Sequence, residues 1–200
     1  MGELYDEELY EEVRAAIAAG HTKMEILDAL QQGMTIVGQR FADKEYYVAE
    51  LIFSAEIFEE CSKMFGEEEE AEPKYGTFVI GTVYTDLHDI GKNITAQLYK
   101  CSGFKVVDLG VDVHPETFLQ AIRENDPTVV GLSCLLTTSF DPTKDIIAQI
   151  RAAGLDKERY IYVGGAPVDA NTCRYVDADD YSNDAQDSLR KSIAFVEAHR

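Results

Sequence analysis

The stretch TFVIGTVYTDLHDIGKN, residues 77–93, joins an apolar run to a polar loop and then to the start of a helix. Residues 77–83 are apolar and rich in β-branched side chains, which predicts a buried strand. Residues 85–93 form the loop, and helical spacing predicts a helix over residues 91–101. A buried strand that leads through such a loop into a helix is the opening unit of an α/β domain.

The alternation of strand and helix continues towards the C-terminus. The further predicted elements are a strand at 104–110, a helix at 115–125, a strand at 128–135, a helix at 142–153, a strand at 160–165, a weak strand at 177–181 and a helix at 184–198. Short apolar strands that alternate with helices form a parallel sheet covered on both faces. The sequence therefore predicts an α/β, doubly wound sheet of five parallel strands over residues 77–200.

Residues 1–65 have a different pattern, which predicts an all-α helical bundle. Apolar residues recur at helical spacing over residues 5–19, from Thr22 to Val37 and over residues 45–64. Thr22 followed by Glu25 is a capping box, in which each side chain bonds a backbone amide of the other residue. Three helices do not cover their apolar stripes alone. Either a fourth short helix forms over residues 39–44, or these stripes pack on something else.

An acidic segment separates the two patterns. GEEEEAEPKYG, residues 66–76, contains four consecutive glutamates, a proline and flanking glycines, which indicate a solvated linker. The predicted organisation is a helical domain at 1–65, a linker at 66–76 and a second domain at 77–200.

Composition argues against several classes of function. The 37 acidic residues outnumber the 18 lysines and arginines, and a net charge of −19 repels nucleic-acid backbones. The charge either serves solubility alone or also favours partners with basic surfaces. No run of eighteen apolar residues is present and the acidic N-terminus does not resemble an export signal, so we expect a cytoplasmic protein without membrane contact. The four cysteines contain no CxxC pair, which argues against a structural zinc site.

The chemistry is expected in the loops after the first, third and fourth strands, since these loops meet at one edge of a doubly wound sheet. Asp86 and His88 are two positions apart, so both side chains can point the same way from an extended loop. A carboxylate that bonds one ring nitrogen of a histidine makes the other a better metal ligand. Gly91 permits either a tight turn or close approach of a large ligand. One histidine and one carboxylate are too few for a protein-built zinc site, but suffice for a metal held in a macrocycle.

The three loops contain, in order, the motifs Asp86-x-His88-x-x-Gly91, Ser133-x-Leu135 and Gly164-Gly165. This set resembles the cobalamin-binding signature of methionine synthase, of base-off mutases and of the corrinoid proteins of methyltransferase systems. The resemblance implies a flavodoxin-like, Rossmann-type B12-binding domain. It also implies that cobalamin binds base-off and His-on, and alternates between methylcobalamin and cob(I)alamin.

The resemblance assigns roles to individual residues. His88 would replace the dimethylbenzimidazole base as the axial ligand of cobalt, and Asp86 with Ser139 would form a catalytic relay behind it. Ser133 and Thr137 would contact the displaced nucleotide tail, in a slot that Gly164 and Gly165 leave open. The remaining cofactor-binding candidates are Asp89, Ile90, Gly91 and Leu135. Strand-end capping is an alternative role for Ser133 and Thr137, and helix capping before Pro142 is one for Ser139.

The N-terminal helices resemble the cap that precedes the B12-binding domain in methionine synthase and in methyltransferase corrinoid proteins. The matching stretch is Tyr47–Glu56, where the usual proline is Ala49 and the usual cobalt-facing methionine is Phe53. The candidates for shielding the upper face of cobalt are Val48, Leu51, Ile52 and Phe53. Packing alone also explains any one of them.

The resemblance implies a methyl carrier that is not an enzyme on its own. Its expected partners are a substrate-specific methyltransferase, a second methyltransferase that uses tetrahydrofolate or a thiol acceptor, and a reductive activator. The cap sequence YYVAELIFSAEIF looks most like the carriers of aryl-ether O-demethylases, with methylamine, methanol and betaine systems as alternatives. The competing hypotheses are a cobalamin-dependent sensor, the small subunit of an adenosylcobalamin mutase, and a flavodoxin-like module without cobalt.

Overall fold

The computed structural model describes residues 6–65 and 73–199. These residues form two compact units, one made of the N-terminal helices with Lys100–Gly103 and the other made of the rest of the chain from Pro73 onwards. Residues 66–72 of the predicted linker lie outside the described residues. Within the described residues, no helix is both long and apolar enough to cross a membrane.

The N-terminal unit consists of α1 (Asp6–Ala18), α2 (Lys23–Ala42) and α3 (Val48–Lys63). The capping box at the start of α2 is confirmed, because Thr22 N donates to Glu25 Oε2 at 2.9 Å and Glu25 N donates to Thr22 Oγ1 at 3.3 Å. The alternative of a separate short helix over residues 39–44 is wrong. No proline interrupts the backbone ladder there, so α2 continues to Ala42 and ends at the C-cap Asp43.

The second unit is a five-stranded sheet in the order β2-β1-β3-β4-β5, in which every neighbouring pair is parallel. Its elements are β1 (Thr77–Thr82), α4 (Ile90–Cys101), β2 (Lys105–Asp108), α5 (Pro115–Asn125), β3 (Val129–Ser133), a 3-10 turn (Thr137–Ser139), α6 (Phe140–Ala152), β4 (Tyr160–Gly164), α7 (Ala170–Val176), β5 (Asp180–Ser182) and α8 (Ala185–Ala198). The predicted doubly wound architecture is confirmed.

One region differs from the prediction. Helix α7 was not predicted; it begins after Asp169, whose side chain accepts from the amides of Asn171 and Thr172. It ends where Asp177 adopts a left-handed conformation with φ of 62°. The predicted fifth strand at 177–181 is therefore displaced to β5, since Asp177 is still part of the turn that closes the helix.

The two faces of the sheet have different surroundings. One face packs against α5, α6 and α7 through an aliphatic cluster that includes Val79, Leu132, Ile147 and Val163. We call this the aliphatic face. On the other face, Phe78 stacks on Tyr99 of α4, and Tyr160 stacks on Phe195 of α8. We call this the α4/α8 face.

Candidate functional site

The loops after β1, β3 and β4 lie side by side at the carboxyl edge of the sheet. Val83 N donates to Ser133 O at 3.0 Å, and Cys134 N donates to Gly164 O at 2.8 Å. The direction of the strand order reverses at β1, because β2 lies on one side of it and β3 lies on the other. Such a point is where open α/β sheets bind their ligands. The expected convergence of the three motifs is confirmed.

Asp86 is fully buried and both of its carboxylate oxygens are used. Oδ1 accepts from His88 Nδ1 at 2.7 Å and from His88 N at 3.1 Å. Oδ2 accepts from the amides of Leu135 and Leu136, at 2.7 Å and 3.0 Å. Burial by itself raises the pKa of Asp86, but these hydrogen bonds together lower it by more than burial raises it. The pKa of Asp86 therefore lies below its ordinary value. The group is therefore an ionised acceptor that joins the loop after β1 to the loop after β3.

His88 is held at three points while its ring stays accessible. Its Nδ1 and its backbone amide bond Asp86, and its carbonyl oxygen accepts from Thr82 Oγ1 at 2.8 Å. The side chain is 53% exposed. Because an ionised carboxylate requires a proton on Nδ1, the lone pair is on Nε2, which is the nitrogen left for a metal.

The relay implied by the resemblance would require a hydrogen bond between Ser139 and Asp86, but Ser139 does not bond Asp86. Its hydroxyl pairs with Thr85 Oγ1 at 2.9 Å, and its carbonyl accepts from Thr143 Oγ1 at 2.7 Å. The physical reason is that both Asp86 oxygens are already occupied by His88 and by the two amides. Ser139 is the N-cap residue of α6, but its side chain makes no capping hydrogen bond either. It fastens the 3-10 turn to the loop that carries His88.

Large apolar side chains in the loops after β1 and β3 are exposed. Leu87 and Ile90, which flank His88 in the chain, are 70% and 72% exposed. Leu135 and Leu136, whose amides hold Asp86, are also exposed. A cluster of solvent-facing leucine and isoleucine on a monomer indicates a binding surface. Such a surface could contact the apolar part of a large ligand, with His88 Nε2 available as a metal ligand.

Three glycines of the motifs have different structural reasons. At Gly91 a Cβ atom would meet nothing within 4 Å and φ is not positive, so the chain itself does not require glycine there. Of the two interpretations of Gly91, close approach of a ligand therefore has the stronger support. At Gly165, with φ of 145°, a Cβ would lie 1.9 Å from the carbonyl oxygen of Cys134, so backbone packing alone requires glycine. At Gly164 the nearest atom would be Ser182 O at 3.3 Å.

The remaining candidates of this unit lie near the same edge. Ser133 is opposite Gly164 in the β3–β4 register, and both belong to the α4/α8 face. Thr137 is exposed at the start of the 3-10 turn, and Asp89 is exposed just before α4. Their proposed contacts with a cofactor remain predictions.

The four candidates on α3 divide into two sets. Val48, Ile52 and Phe53 are exposed apolar residues, and the first two are one helical turn apart. Leu51 is 3% exposed, so packing inside the helical unit accounts for it. A role above cobalt remains a prediction for all four.

Within the described ranges, no group of three or more histidine, cysteine, aspartate or glutamate side chains is arranged to hold a metal ion. The donor here is the single oriented imidazole of His88. Exposed apolar side chains lie in the same loops, and a Cβ atom at Gly91 would meet no other atom within 4 Å. This arrangement fits a metal that arrives with its own equatorial nitrogens, as cobalt does in cobalamin.

Comparisons with known proteins agree with that fit. A family model described as the B12 binding domain matches residues 76–189, and a second model with the same description matches residues 1–64. The trimethylamine corrinoid protein of Methanosarcina barkeri is 36% identical over 193 residues, which cover 94% of this chain and 89% of that protein.

Two solved structures are similar over nearly the whole chain. A cobalamin-binding protein from Desulfitobacterium hafniense DCB-2 superposes with a TM-score of 0.81 at 36% identity, covering 98% of this chain and 94% of that one. One chain of the methanol:cobalamin methyltransferase complex MtaBC of Methanosarcina barkeri superposes with a TM-score of 0.84 at 27% identity, covering 98% of this chain and 76% of that one.

The fold and the oriented histidine define a cobalamin-binding protein. The chain belongs to the B12-binding domain family, and its similar relatives include corrinoid proteins.

Proposed function

We propose that this chain is a methyl carrier, which holds cobalamin base-off through His88 and passes a methyl group between two methyltransferases. Bound cobalamin supplies a cobalt centre that accepts and donates the methyl group. The observation that carries the proposal is the Asp86–His88 contact of 2.7 Å, which engages Nδ1 and leaves Nε2 of a half-exposed ring as the nitrogen for a metal.

The chain's own residues contribute binding, orientation and exclusion of water. Asp86 keeps the proton of His88 on Nδ1 and fixes the ring through both loops. Leu87 and Ile90, which flank His88 in the chain, would offer apolar surface to a bound macrocycle. Val48, Leu51, Ile52 and Phe53 of α3 are our candidates for shielding the upper face of cobalt.

The chain is proposed to act as one component of a larger system rather than alone. Support comes from the similar proteins, which include a trimethylamine corrinoid protein and the methanol:cobalamin methyltransferase complex MtaBC. The proposed partners are a substrate-specific methyltransferase, a second methyltransferase for tetrahydrofolate or a thiol, and a reductive activator. Two hypotheses differ in the methyl donor. The amino-acid sequence of the α3 region favours an aryl ether, and similarity to the trimethylamine corrinoid protein favours a methylamine.

The lower ligand is tested with wild type, His88→Ala and a control, His114→Ala. His114 is also exposed and precedes α5, so its removal matches the change in composition. Each apoprotein is mixed with hydroxocobalamin, freed of excess cofactor, and its visible spectrum recorded. We expect wild type and His114→Ala to retain a base-off, histidine-ligated spectrum that His88→Ala lacks. Retention of no cobalamin by folded wild type contradicts the proposal.

The two donor hypotheses are separated with the cofactor-loaded chain in its reduced state. It is incubated with purified methyltransferases for trimethylamine or for aryl methyl ethers, each with its substrate, and methylation is followed by absorbance. Methylation with one partner alone identifies the donor class. Methylation with neither, under conditions in which each partner methylates its own carrier, removes both hypotheses.

A further inference from the structure

Side-chain size changes along the strands on the α4/α8 face. Near the carboxyl ends the face carries small residues, namely Thr82, Ser133, Gly164 and Ser182. We call these four residues the small-residue slot. Further down, aromatic rings fill the face: Phe78 and Tyr162 are stacked with centroids 6.2 Å apart, and Tyr99 of α4 lies 3.9 Å from Phe78. The slot therefore has a floor made of rings.

Tyr162 forms the part of that floor nearest the slot. A Cβ atom built on Gly164 would lie 3.6 Å from Tyr162 Cε2, and one built on Gly131 would lie 3.1 Å from its hydroxyl oxygen. The ring thus borders Gly164 at the end of β4 and extends over Gly131 of β3. Its hydroxyl oxygen therefore lies next to Gly131, which is two residues before Ser133 on the same strand.

The Tyr162 hydroxyl is buried and has no hydrogen-bond partner among the described residues. Burial raises its pKa well above the ordinary value, so it keeps its proton and remains a donor. Tyr99 and Ser188 are near enough to affect that pKa but do not meet hydrogen-bond geometry. A buried hydroxyl without a partner destabilises a fold, so one that persists needs an explanation such as a bound ligand.

The neighbouring hydroxyls do have partners. Tyr99 Oη pairs with Ser192 Oγ at 2.7 Å, and Ser188 Oγ donates to Ala185 O at 2.8 Å. Tyr160, two residues earlier on the same strand and face, donates to Asp180 Oδ2 at 3.0 Å. Among these neighbouring hydroxyls on the α4/α8 face, that of Tyr162 is the unpaired one, and it lies at the floor of the slot, where the nucleotide tail of a base-off cobamide would end.

We propose that Tyr162 recognises the lower base of the cobamide by donating a hydrogen bond to a polar atom on its outer edge. This inference rests on the proposed function, since only a base-off cofactor places its base in the slot. Dimethylbenzimidazole presents two methyl groups at that edge, whereas adenine or a hydroxylated benzimidazole presents a polar atom. The chain thus selects cobamides whose lower base can accept a hydrogen bond from the Tyr162 hydroxyl.

The test measures binding by equilibrium dialysis of apoprotein, without any activity assay. The ligands are cobamides with adenine, hydroxybenzimidazole or dimethylbenzimidazole as base, and cobinamide, which has no base. We expect wild type to bind the cobamides with a polar base about fivefold to tenfold more tightly than cobalamin, which is the effect of one buried hydrogen bond. Tyr162→Phe is expected to remove that preference and to leave cobinamide binding unchanged.

Tyr160→Phe is the matched control. It removes a hydroxyl that already has a partner, so it is expected to lower the melting temperature of the apoprotein and to keep the base preference. Tyr162→Phe is expected not to lower the melting temperature, because no native hydrogen bond is lost.

The outcomes separate this inference from the function on which it rests. Equal binding of all bases by wild type, or an unchanged preference in Tyr162→Phe, overturns the role of Tyr162 while His88-dependent cobalamin retention stands. Failure of wild type to retain any cobamide or cobinamide overturns both. If Tyr162→Phe does not fold, equal binding of all bases by wild type still overturns the role of Tyr162.

Discussion

The two faces of the parallel sheet differ in the side chains that cover them, although the same strands form both. The aliphatic face is filled by valine, leucine and isoleucine that pack on α5, α6 and α7. The α4/α8 face carries small residues at the carboxyl ends and an unpaired buried hydroxyl beneath them. Because neighbouring residues of a strand point to opposite faces, each strand contributes to both. The difference teaches that the aliphatic face is packed with large side chains, whereas the α4/α8 face combines buried aromatic rings with small residues at the end where a ligand is proposed to enter.

The largest effect is expected from a cavity in the aliphatic face. Ile147 of α6 is completely buried there. Ile147→Ala is expected to lower the free energy of unfolding by about 3 kcal/mol, from lost burial and the cavity that remains. Urea denaturation measures the change. Cobalamin retention at low temperature should be unaltered; if it falls as much as stability does, the faces are not separable.

The adjacent pair Gly164 and Gly165 sharpens the comparison within two residues. Gly165→Ala is expected to cost about 2 kcal/mol or more of stability, because its Cβ would collide with Cys134 O and φ is positive. Gly164→Ala has more room and places its methyl group in the small-residue slot. We expect it to reduce cobalamin affinity much more than cobinamide affinity. Thermal melting and dialysis distinguish the two; equal behaviour would remove the assignment of Gly164 to the slot.

The smallest expected effect concerns the edge that both faces share. Asp86→Asn keeps the size of the side chain but removes the charge that orients His88. Loss of such a partner behind a metal ligand lowers metal affinity about tenfold to a hundredfold. We expect weaker retention of cobalamin and a changed histidine-ligated spectrum. Asp112→Asn is the control, since Asp112 accepts from Thr85 N in the same loop but does not bond His88. An equal loss in the control would mean that loop order, and not His88 orientation, is responsible.

Much of the fold followed from the sequence because periodicity records burial directly. The buried strands β1, β3 and β4 and the amphipathic α5 and α8 have clear patterns, and their positions were confirmed within a few residues. Helix α7 has only seven residues, ANTCRYV, too few for a helical period to be visible. Asp169 three residues before Thr172 was a capping signal that indicated its start.

The site was only partly predictable, for a physical reason. The Asp86–His88 pairing is local, and their spacing of two residues was sufficient to expect it. The second partner of Asp86 is a pair of backbone amides, at Leu135 and Leu136, and amides carry no sequence signature. The same limit hid the structural reason for Gly165, which was expected to keep the slot open but is required by the nearby carbonyl oxygen of Cys134. Tyr162 was hidden because an unpaired hydroxyl is visible only when its surroundings are known.

The divided carboxylate of Asp86 also constrains the order of events during synthesis. The amides that hold Oδ2 lie 49 and 50 residues further along the chain than Asp86 itself. A ribosome that has released β1 but not β3 has therefore made the histidine without the loop that fixes it. Cofactor loading belongs after β1 and β3 have paired, when the buried charge first has all of its donors.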